Sequence, residues 1–157
     1  MSRNFVGRCI CLTGSVRAVI ICGVDIKGKE ANLAIVSSDS EGNIEHINCA
    51  TKKLSLHDHE DAASLDALMK AIKAFANENK IDGFAIKSRK ATGQLAAGGI
   101  TFKIEALFQL SGTEVTFVSP PTLAAFTKKS NVATPPQSVK QYQADAYRAA
   151  AWKLAKV

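Results

Sequence analysis

The sequence predicts an α/β fold, with a mixed sheet of three antiparallel and then two parallel strands flanked by helices. Two observations predict it. Three short segments with strand character come first, and from there helical and strand patterns alternate. The chain has 157 residues, of which 46% are hydrophobic. That length and composition indicate one globular domain with a sizeable core.

The first three strands are predicted by apolar runs that turn residues separate. Residues 19–24 form a continuous apolar run, typical of a strand buried on both faces. Residues 32–37 follow closely enough to be its antiparallel hairpin partner, and residues 44–50 alternate as a third strand. No helix fits between the first two strands, and this excludes a flavodoxin-like or Rossmann sheet.

The second half of the chain alternates between helices and strands. Apolar residues recur at helical spacing from Leu65 to Ala76, after an acidic start in which Asp58 is the expected cap. A strand at 81–86, a helix at 102–110 and a strand at 115–118 follow. A short helix at 122–128 and an alanine-rich helix at 138–155 complete the chain. This order is that of a ribonuclease H-like fold, with right-handed crossovers into the parallel strands.

The domain is expected to span residues 18–157, with residues 1–17 as a loosely ordered N-terminal extension. No apolar run approaches the roughly 20 residues of a membrane span, so no membrane partner is expected. Cys9 and Cys11 lack the second ligand pair that a zinc site needs, and Cys22 sits in an apolar strand as a buried thiol would. A cytoplasmic, reducing location is therefore expected.

Two acidic residues are candidates for catalysis and for binding Mg²⁺. Asp25 follows four apolar strand residues, where a carboxylate needs a partner or a cation. The alternative is a turn-initiating aspartate that accepts backbone N–H bonds. Asp145 lies on the last helix beside its packing face, either as a second metal ligand or as the ion-pair partner of Arg148.

A third acidic residue is missing from this set. Hydrolysis of a phosphodiester by two metal ions needs three or four carboxylates. The strand at 81–86 is followed by Lys87 and Ser88, where such a site would want Glu or Asp. A protonated lysine cannot ligate Mg²⁺, and Glu105 on the following helix has no established role. The catalytic set is therefore expected to be incomplete.

A basic, glycine-rich segment at 87–103 is the candidate binding site for phosphate or nucleic acid. Its glycines allow backbone N–H groups to approach an oxyanion, and the positive end of the next helix points there. The alternative is a surface loop with solvated charges. The expected contacts are Lys87, Ser88, Arg89, Lys90, Gly93, Gly98, Gly99 and Lys103.

Charge is uneven along the chain, which has a formal net charge of +6. Residues 30–82 carry ten acidic residues and five lysines. Residues 83–104 carry four basic residues and no acidic residue. Such polarity suits a polyanion, so DNA or RNA is the expected partner. His57 and His59 beside acidic residues are a weak candidate metal cluster, or a solvated helix start.

Three stretches carry a resemblance to known proteins: ICGVDIKGKEANLAIVS, IDGFAIKSRKATGQLAAGGITFKIEALFQL and YQADAYRAAAWKLAK. They resemble an uncharacterised bacterial domain-of-unknown-function family with a ribonuclease H-like fold, most clearly in the AAGGITFKIEA segment. More distantly they resemble RuvC-type Holliday-junction resolvases. In those, an Asp ends the first strand, a Glu ends the fourth, and an Asp pair occupies the last helix. The resemblance implies that Asp25 and Asp145 stand at two of these positions, while Lys87 and Ser88 replace the Glu.

The sequence thus predicts a ribonuclease H-like protein that binds nucleic acid or a phosphorylated ligand through its basic loop. A Mg²⁺-dependent, structure-selective nuclease is one alternative, and a protein–protein interaction module is another. An ATP binder of the actin and sugar-kinase type shares the strand opening, but it would normally need two such domains. A homodimer stays open.

Overall fold

The computed structural model describes residues 18–89 and 98–156, and these form a mixed sheet with helices on both faces. The strands are β1 (Val19–Lys27), β2 (Glu30–Ser38), β3 (Ile44–Ile47), β4 (Lys53–Ser55), β5 (Gly83–Lys87) and β6 (Glu114–Val118). Their order is β3-β2-β1-β5-β6, and β4 also pairs with β2. The first strands pair antiparallel, and β5 and β6 run parallel to β1. The predicted fold class is confirmed.

The third predicted strand, at 44–50, is shorter in the structure, and a further strand that was not predicted follows it. The strand β3 ends at Ile47, the chain leaves the sheet, and β4 returns to pair with the beginning of β2. Between them the Lys52 carbonyl accepts a hydrogen bond from the Leu33 amide at 2.9 Å. The nine-residue β2 is longer than the four-residue β3, so its remaining backbone groups need this second partner.

Four helices cover the sheet: α1 (Ala62–Glu78), α2 (Gly99–Gln109), α3 (Pro120–Lys129) and α4 (Ala144–Ala155). The cap of α1 is Asp61 and not the expected Asp58, because the Asp61 carboxylate accepts from the Ala63 amide while Asp58 closes the preceding turn onto Glu60. Short 3₁₀ turns occupy Asn131–Ala133 and Gln141–Gln143.

The last helix begins six residues later than the sequence pattern predicts. Its entry is a 3₁₀ turn in which the Gln143 side chain accepts from the Lys140 amide at 2.9 Å and donates to the Leu33 carbonyl at 2.7 Å. Gln143 is buried. This side chain fastens the start of α4 to β2, and so fixes where the residues that follow it meet the sheet.

The two faces of the sheet are packed differently. The helices α1 and α2 cover one face, where large side chains such as Ile72 and Phe108 of the helices and Phe84 of β5 form the core. The helix α4 covers the other with alanines at 146, 149, 150 and 151. A Cβ built on Gly23 would lie 1.6 Å from the Ala146 carbonyl oxygen, so glycine is required for this approach.

The described helices include none with the length and apolar character needed to cross a membrane. Cys22 is buried and unpaired, as predicted, and burial raises the pKa of its thiol. The expected extension at 1–17, with Cys9 and Cys11, lies outside the described residues.

Candidate functional site

The carboxyl ends of the parallel strands meet at one edge of the sheet, which we call the carboxyl edge. Asp25 lies near the end of β1, and Lys87 ends β5. Val24 is in register with Ile86, so Asp25 and Lys87 are neighbours on adjacent strands. Gly23 and Ala85 face α4. Because every second residue of a strand points to the same face, Asp25 and Lys87 also lie on the α4 side of the sheet.

Asp145 reaches the same edge from the first turn of α4. Its Oδ2 accepts from the Lys87 ammonium at 2.7 Å, and its Oδ1 accepts from the Arg148 guanidinium at 2.9 Å. Burial alone would raise the pKa of Asp145, but the hydrogen bonds and charges of Lys87 and Arg148 hold this pKa below its ordinary value. The predicted ion pair with Arg148 is present, and a second cation, Lys87, joins it.

Asp25 has different surroundings. Its side chain is 0% exposed, and neither carboxylate oxygen has a hydrogen-bond partner among the described residues. The Lys27 ammonium approaches Oδ2 only to 3.5 Å, from a side chain that is 58% exposed. The alternative of a turn-initiating aspartate is wrong. Asp25 lies within β1, opposite Asn32 of β2, and it accepts no backbone N–H bond from the described residues.

Asn32 stands directly opposite Asp25 in the β1–β2 hairpin. It is also buried, and its Oδ1 has no hydrogen-bond partner in the described part of the chain. Three buried oxygen atoms without donors therefore lie on neighbouring strands. Leaving one such acceptor unsatisfied costs about 1–3 kcal/mol, and more when it is charged.

The oxygen atoms of Asp25 and Asn32 differ from those of Asp145, because no described residue donates a hydrogen bond to them. Carboxylate and amide oxygens are ligands for Mg²⁺, and Asp25 with Asn32 offers three of them without a competing donor at hydrogen-bond distance. Asp145 is already satisfied by two cationic side chains. No group of three or more His, Cys, Asp or Glu side chains that could hold a metal ion occurs within residues 18–89 and 98–156. Mg²⁺ held jointly by Asp25 and Asp145 stays a prediction.

His59 of the predicted histidine cluster contacts Lys103. The Lys103 ammonium lies 3.1 Å from His59 Nδ1 and donates to the His59 carbonyl at 2.8 Å. This contact joins α2 to the turn before α1. Lys103, one of the cations expected to bind phosphate, is therefore already bound to His59.

The other expected loop contacts are distributed along the carboxyl edge. Ser88 donates from both its amide and its hydroxyl to the Val118 carbonyl, at 2.9 and 3.3 Å. Arg89 donates to the Ile26 carbonyl at 3.3 Å. Gly98 precedes α2 and Gly99 begins it, and no atom of the described residues lies within 4 Å of a Cβ built on either glycine. Lys90 and Gly93 lie outside the described residues.

Glu105 lies on the opposite face of the sheet, on α2. It is buried, and its Oε2 has no hydrogen-bond partner among the residues described. Burial raises the pKa of Glu105, and the nearby charge of Arg89 partly offsets this. Glu105 therefore does not join Asp145 on the α4 face as a third acid.

A cavity of about 430 Å³ opens between α3 and α4 beside Asp145. Three cationic side chains contribute to its wall, namely Lys87, Lys128 and Arg148, together with the apolar Leu123 and Ala124. A larger cavity, of about 590 Å³, lies at the opposite end of the sheet near Lys73 and Asp82. Ligands of open α/β sheets bind at the carboxyl ends of the strands, which favours the first cavity.

The family model for proteins of unknown function DUF3010 matches residues 19–153. The chain belongs to this family. The match confirms the resemblance to an uncharacterised family and covers all the strands and nearly all of α4. No curated protein matches the chain in sequence.

Solved structures similar to this DUF3010 chain include RuvC of Thermus thermophilus, with 13% identity over 85% of this chain and 92% of that one, at a TM-score of 0.62. The same organism's RuvC in complex with Holliday junction substrate has 10% identity, coverages of 85% and 91%, and a TM-score of 0.60. The yeast mitochondrial Holliday junction resolvase Ydc2 has 10% identity, coverages of 87% and 82%, and a TM-score of 0.50. These similarities show the fold.

Sequence reasoning missed Asn32 in this DUF3010 chain. The signal was present, because Asn32 is a polar residue directly before the apolar run of residues 33–36. The tight turn pairs Lys27 with Glu30, and counting back from that pair places Asn32 opposite Asp25. The sequence contains no comparable indication that Gln143 binds the Leu33 carbonyl. That contact depends on where α4 begins, which the sequence pattern did not predict.

Proposed function

We propose that this protein binds duplex or branched DNA at its carboxyl edge, as a ribonuclease H-like domain with an incomplete set of catalytic acids. The observation that carries the proposal is the cavity between α3 and α4, where Lys87, Lys128 and Arg148 surround a single acid, Asp145. Sequence-independent affinity for DNA comes mainly from such cationic contacts with phosphates.

The helices add to the positive potential of this edge. The amino ends of α2, α3 and α4 follow β5, β6 and the final loop, so all three dipoles present their positive ends on the carboxyl side. Lys87 and Arg89, at the end of β5, lie on the same side. The exposed turn lysines Lys27 and Lys29 lie at the end of β1 on the same side.

DNA is favoured over other polyanions by the likeness to RuvC, whose structure was solved with Holliday junction substrate. A cationic cavity without aromatic residues in its lining suits phosphates better than unstacked bases. RNA, expected equally from the sequence, is therefore the second choice.

Hydrolysis is not part of the proposal. Asp25 and Asp145 are the residues that would hold Mg²⁺, which when bound would supply positive charge at this edge. Lys87 stands where a further acid is needed, and its ammonium neutralises Asp145. We therefore expect DNA binding with no turnover, or with very slow turnover. The cytoplasmic location and the homodimer stay predictions.

The test is fluorescence anisotropy with a four-way junction, a duplex and a single strand of equal length, measured across a salt series. Lys128→Ala is expected to weaken binding several-fold on both double-stranded substrates and to reduce the slope of log K against log salt by about 1. Lys73→Ala is the matched control, because it removes the same charge from the opposite end of the sheet.

The outcomes separate the alternatives. Equal effects of the two substitutions would contradict this binding edge, and absence of binding to every nucleic acid would favour a protein–protein module. Cleavage with Mg²⁺ or Mn²⁺ that Asp25→Asn abolishes would establish the nuclease alternative. Lys90→Ala tests the loop separately, since a loss comparable to that of Lys128→Ala would place the loop in the interface.

A further inference from the structure

Tyr142 is an exposed aromatic side chain at the entry of α4. It lies in the 3₁₀ turn Gln141–Gln143 and is 37% exposed. The next residue, Gln143, is buried and is held by the Leu33 carbonyl at 2.7 Å and by the Lys140 amide at 2.9 Å. A well-anchored turn therefore presents the ring to solvent. Because a tyrosine side chain has few rotatable bonds, little conformational freedom is lost when a ligand contacts it.

Lys53 lies over one side of the Tyr142 ring. Its ammonium is 4.5 Å from the ring centroid, the geometry of a cation–π contact. Lys53 of β4 is in register with Asn32 of β2, and Asn32 is in register with Asp25 of β1. Directly opposite residues of paired strands point to the same face, so this row of three residues lies on the α4 side of the sheet. Tyr142 therefore stands at the β4 end of the carboxyl edge.

The Tyr142 ring and the cavity between α3 and α4 are separate parts of this edge. Lys87, in the wall of the cavity, is the neighbour of Asp25 on β5 and so continues the row that begins at Lys53. From Lys53 to Lys87 the row crosses three strand spacings of about 4.8 Å, or roughly 14 Å in all. That distance corresponds to about four nucleotide steps of 3.4 Å along one DNA strand. One strand can therefore contact both places at once.

The charge around Tyr142 favours a ligand that is both aromatic and anionic. Three lysines lie near the ring or at the same end of the sheet, namely Lys53, Lys140 and Lys27, and all three are exposed or partly exposed. Glu30 is the acid beside Lys53, but their exposed side chains approach only to 3.5 Å. Such a surface pair is weak, so Lys53 stays available to a phosphate. A nucleotide combines the two required properties, a planar base and a phosphate.

We infer that Tyr142 stacks an unpaired base of DNA whose neighbouring phosphates lie in the cavity between α3 and α4. The inference deepens the proposed function and rests on DNA binding at the carboxyl edge. A base inside a duplex is stacked between its neighbours, so only an unpaired base offers a face to the ring. Every base has such a face, so the ring selects DNA by structure and not by sequence. Lys53 remains on the other side of the ring.

The test measures affinity and stacking in the same complex. The probes are an intact duplex and the same duplex with a short central bulge that contains 2-aminopurine, an adenine analogue whose fluorescence falls when it stacks. Fluorescence anisotropy of an end label gives the affinity. The wild-type chain is expected to bind the bulged DNA about 10-fold more tightly than the duplex and to quench the 2-aminopurine.

Three variants assign the effect to the ring. Tyr142→Ala is expected to lose the preference and the quenching but to keep its duplex affinity within about 2-fold, because the cavity is distant from this ring. Retained duplex affinity also shows that the variant folds. Tyr142→Phe keeps the ring and is expected to retain both properties. The matched control is Phe117→Ala, which removes a ring of similar exposure, 38%, from the α2 side of the sheet and is expected to change neither.

Four results would overturn the inference. Preference and quenching that persist in Tyr142→Ala exclude stacking on this ring, and an equal loss of affinity for duplex and bulged DNA makes it a general contact. Loss of both properties in Phe117→Ala would show that the effect is not specific to Tyr142. If the wild-type chain shows no preference while Lys128→Ala still weakens duplex binding, this inference fails and the proposed function stands. Absence of binding to either DNA overturns both.

Discussion

The two faces of the sheet reach close packing by opposite means. On the α1–α2 face, large side chains interlock, and the Phe84 and Phe108 rings meet edge to face with centroids 4.9 Å apart. On the α4 face, alanines and Gly23 remove side-chain volume so that backbones approach one another. The first arrangement packs through side-chain volume, and the second packs through close approach of the backbones.

The difference shows where the site can be built. A helix held by backbone approach has little freedom to slide, so the residue at its first turn is delivered to a defined point of the sheet. Asp145 is that residue, and Lys87 meets it at 2.7 Å. On the other face, α2 places Glu105 in a buried position without a comparable partner among the described residues.

The largest effect is expected from Gly23→Ala, which tests the close packing of α4 against the sheet. Its new Cβ would meet the Ala146 carbonyl oxygen at 1.6 Å, far inside the 3.0 Å that real contacts respect. The helix must retreat, and we expect a loss of more than about 4 kcal/mol in the free energy of unfolding, measured by urea denaturation.

The matched control for this prediction is Gly99→Ala. Gly99 begins α2, and no atom in the described part of the chain lies within 4 Å of a Cβ built on it, so this substitution is expected to be neutral or to stabilise by up to about 1 kcal/mol. Similar losses in both variants would show that the approach of α4 to the sheet is not the cause.

The element order could be predicted from the sequence because the strongest patterns were long. The apolar run of β1 and the periodicity of α1 each extend over many residues, and both elements are present. The short β4 and the late start of α4 could not be predicted. Both depend on tertiary partners, the unpaired beginning of β2 in one case and the Leu33 carbonyl in the other.

The candidate site was only partly accessible to sequence reasoning. The placement of Asp25, Lys87 and Asp145 at one edge follows from strand order and from the last helix returning to the sheet. It could not be predicted that Asp145 accepts close hydrogen bonds from two cations while Asp25 has only Lys27, at 3.5 Å. Such a difference depends on side-chain positions to within about an ångström. Local spacing indicated only the Arg148 contact, at i+3.

A second prediction concerns the face of large side chains. Phe84→Ala is expected to lower the free energy of unfolding by about 3–5 kcal/mol, because it leaves a cavity between β5 and Phe108. Phe117→Ala is the control, since Phe117 lies on the edge strand β6 with 38% exposure and is expected to lose far less. Comparable losses would contradict the view that this face is stabilised by interlocking volume.

The finest test compares the two acids through pH. The pKa of Asp145 is lower in the folded protein than its ordinary value, so its contribution is present above about pH 4 and disappears as pH falls through the folded pKa. Asp145→Asn is therefore expected to lose roughly 1 kcal/mol at neutral pH, a value discounted for partial exposure, and progressively less as the pH is lowered toward 2.5.

Glu105 is expected to behave in the opposite way. Burial raises its pKa in the folded protein, so its charged form opposes folding as pH rises through that value. Glu105→Gln is expected to match the wild-type chain in acid and to exceed its stability at neutral pH. Urea denaturation between pH 2.5 and 7 measures both variants. If the two differences from wild type changed with pH in the same direction, the contrast between a paired acid on the α4 face and an unpaired one on the α2 face would be wrong.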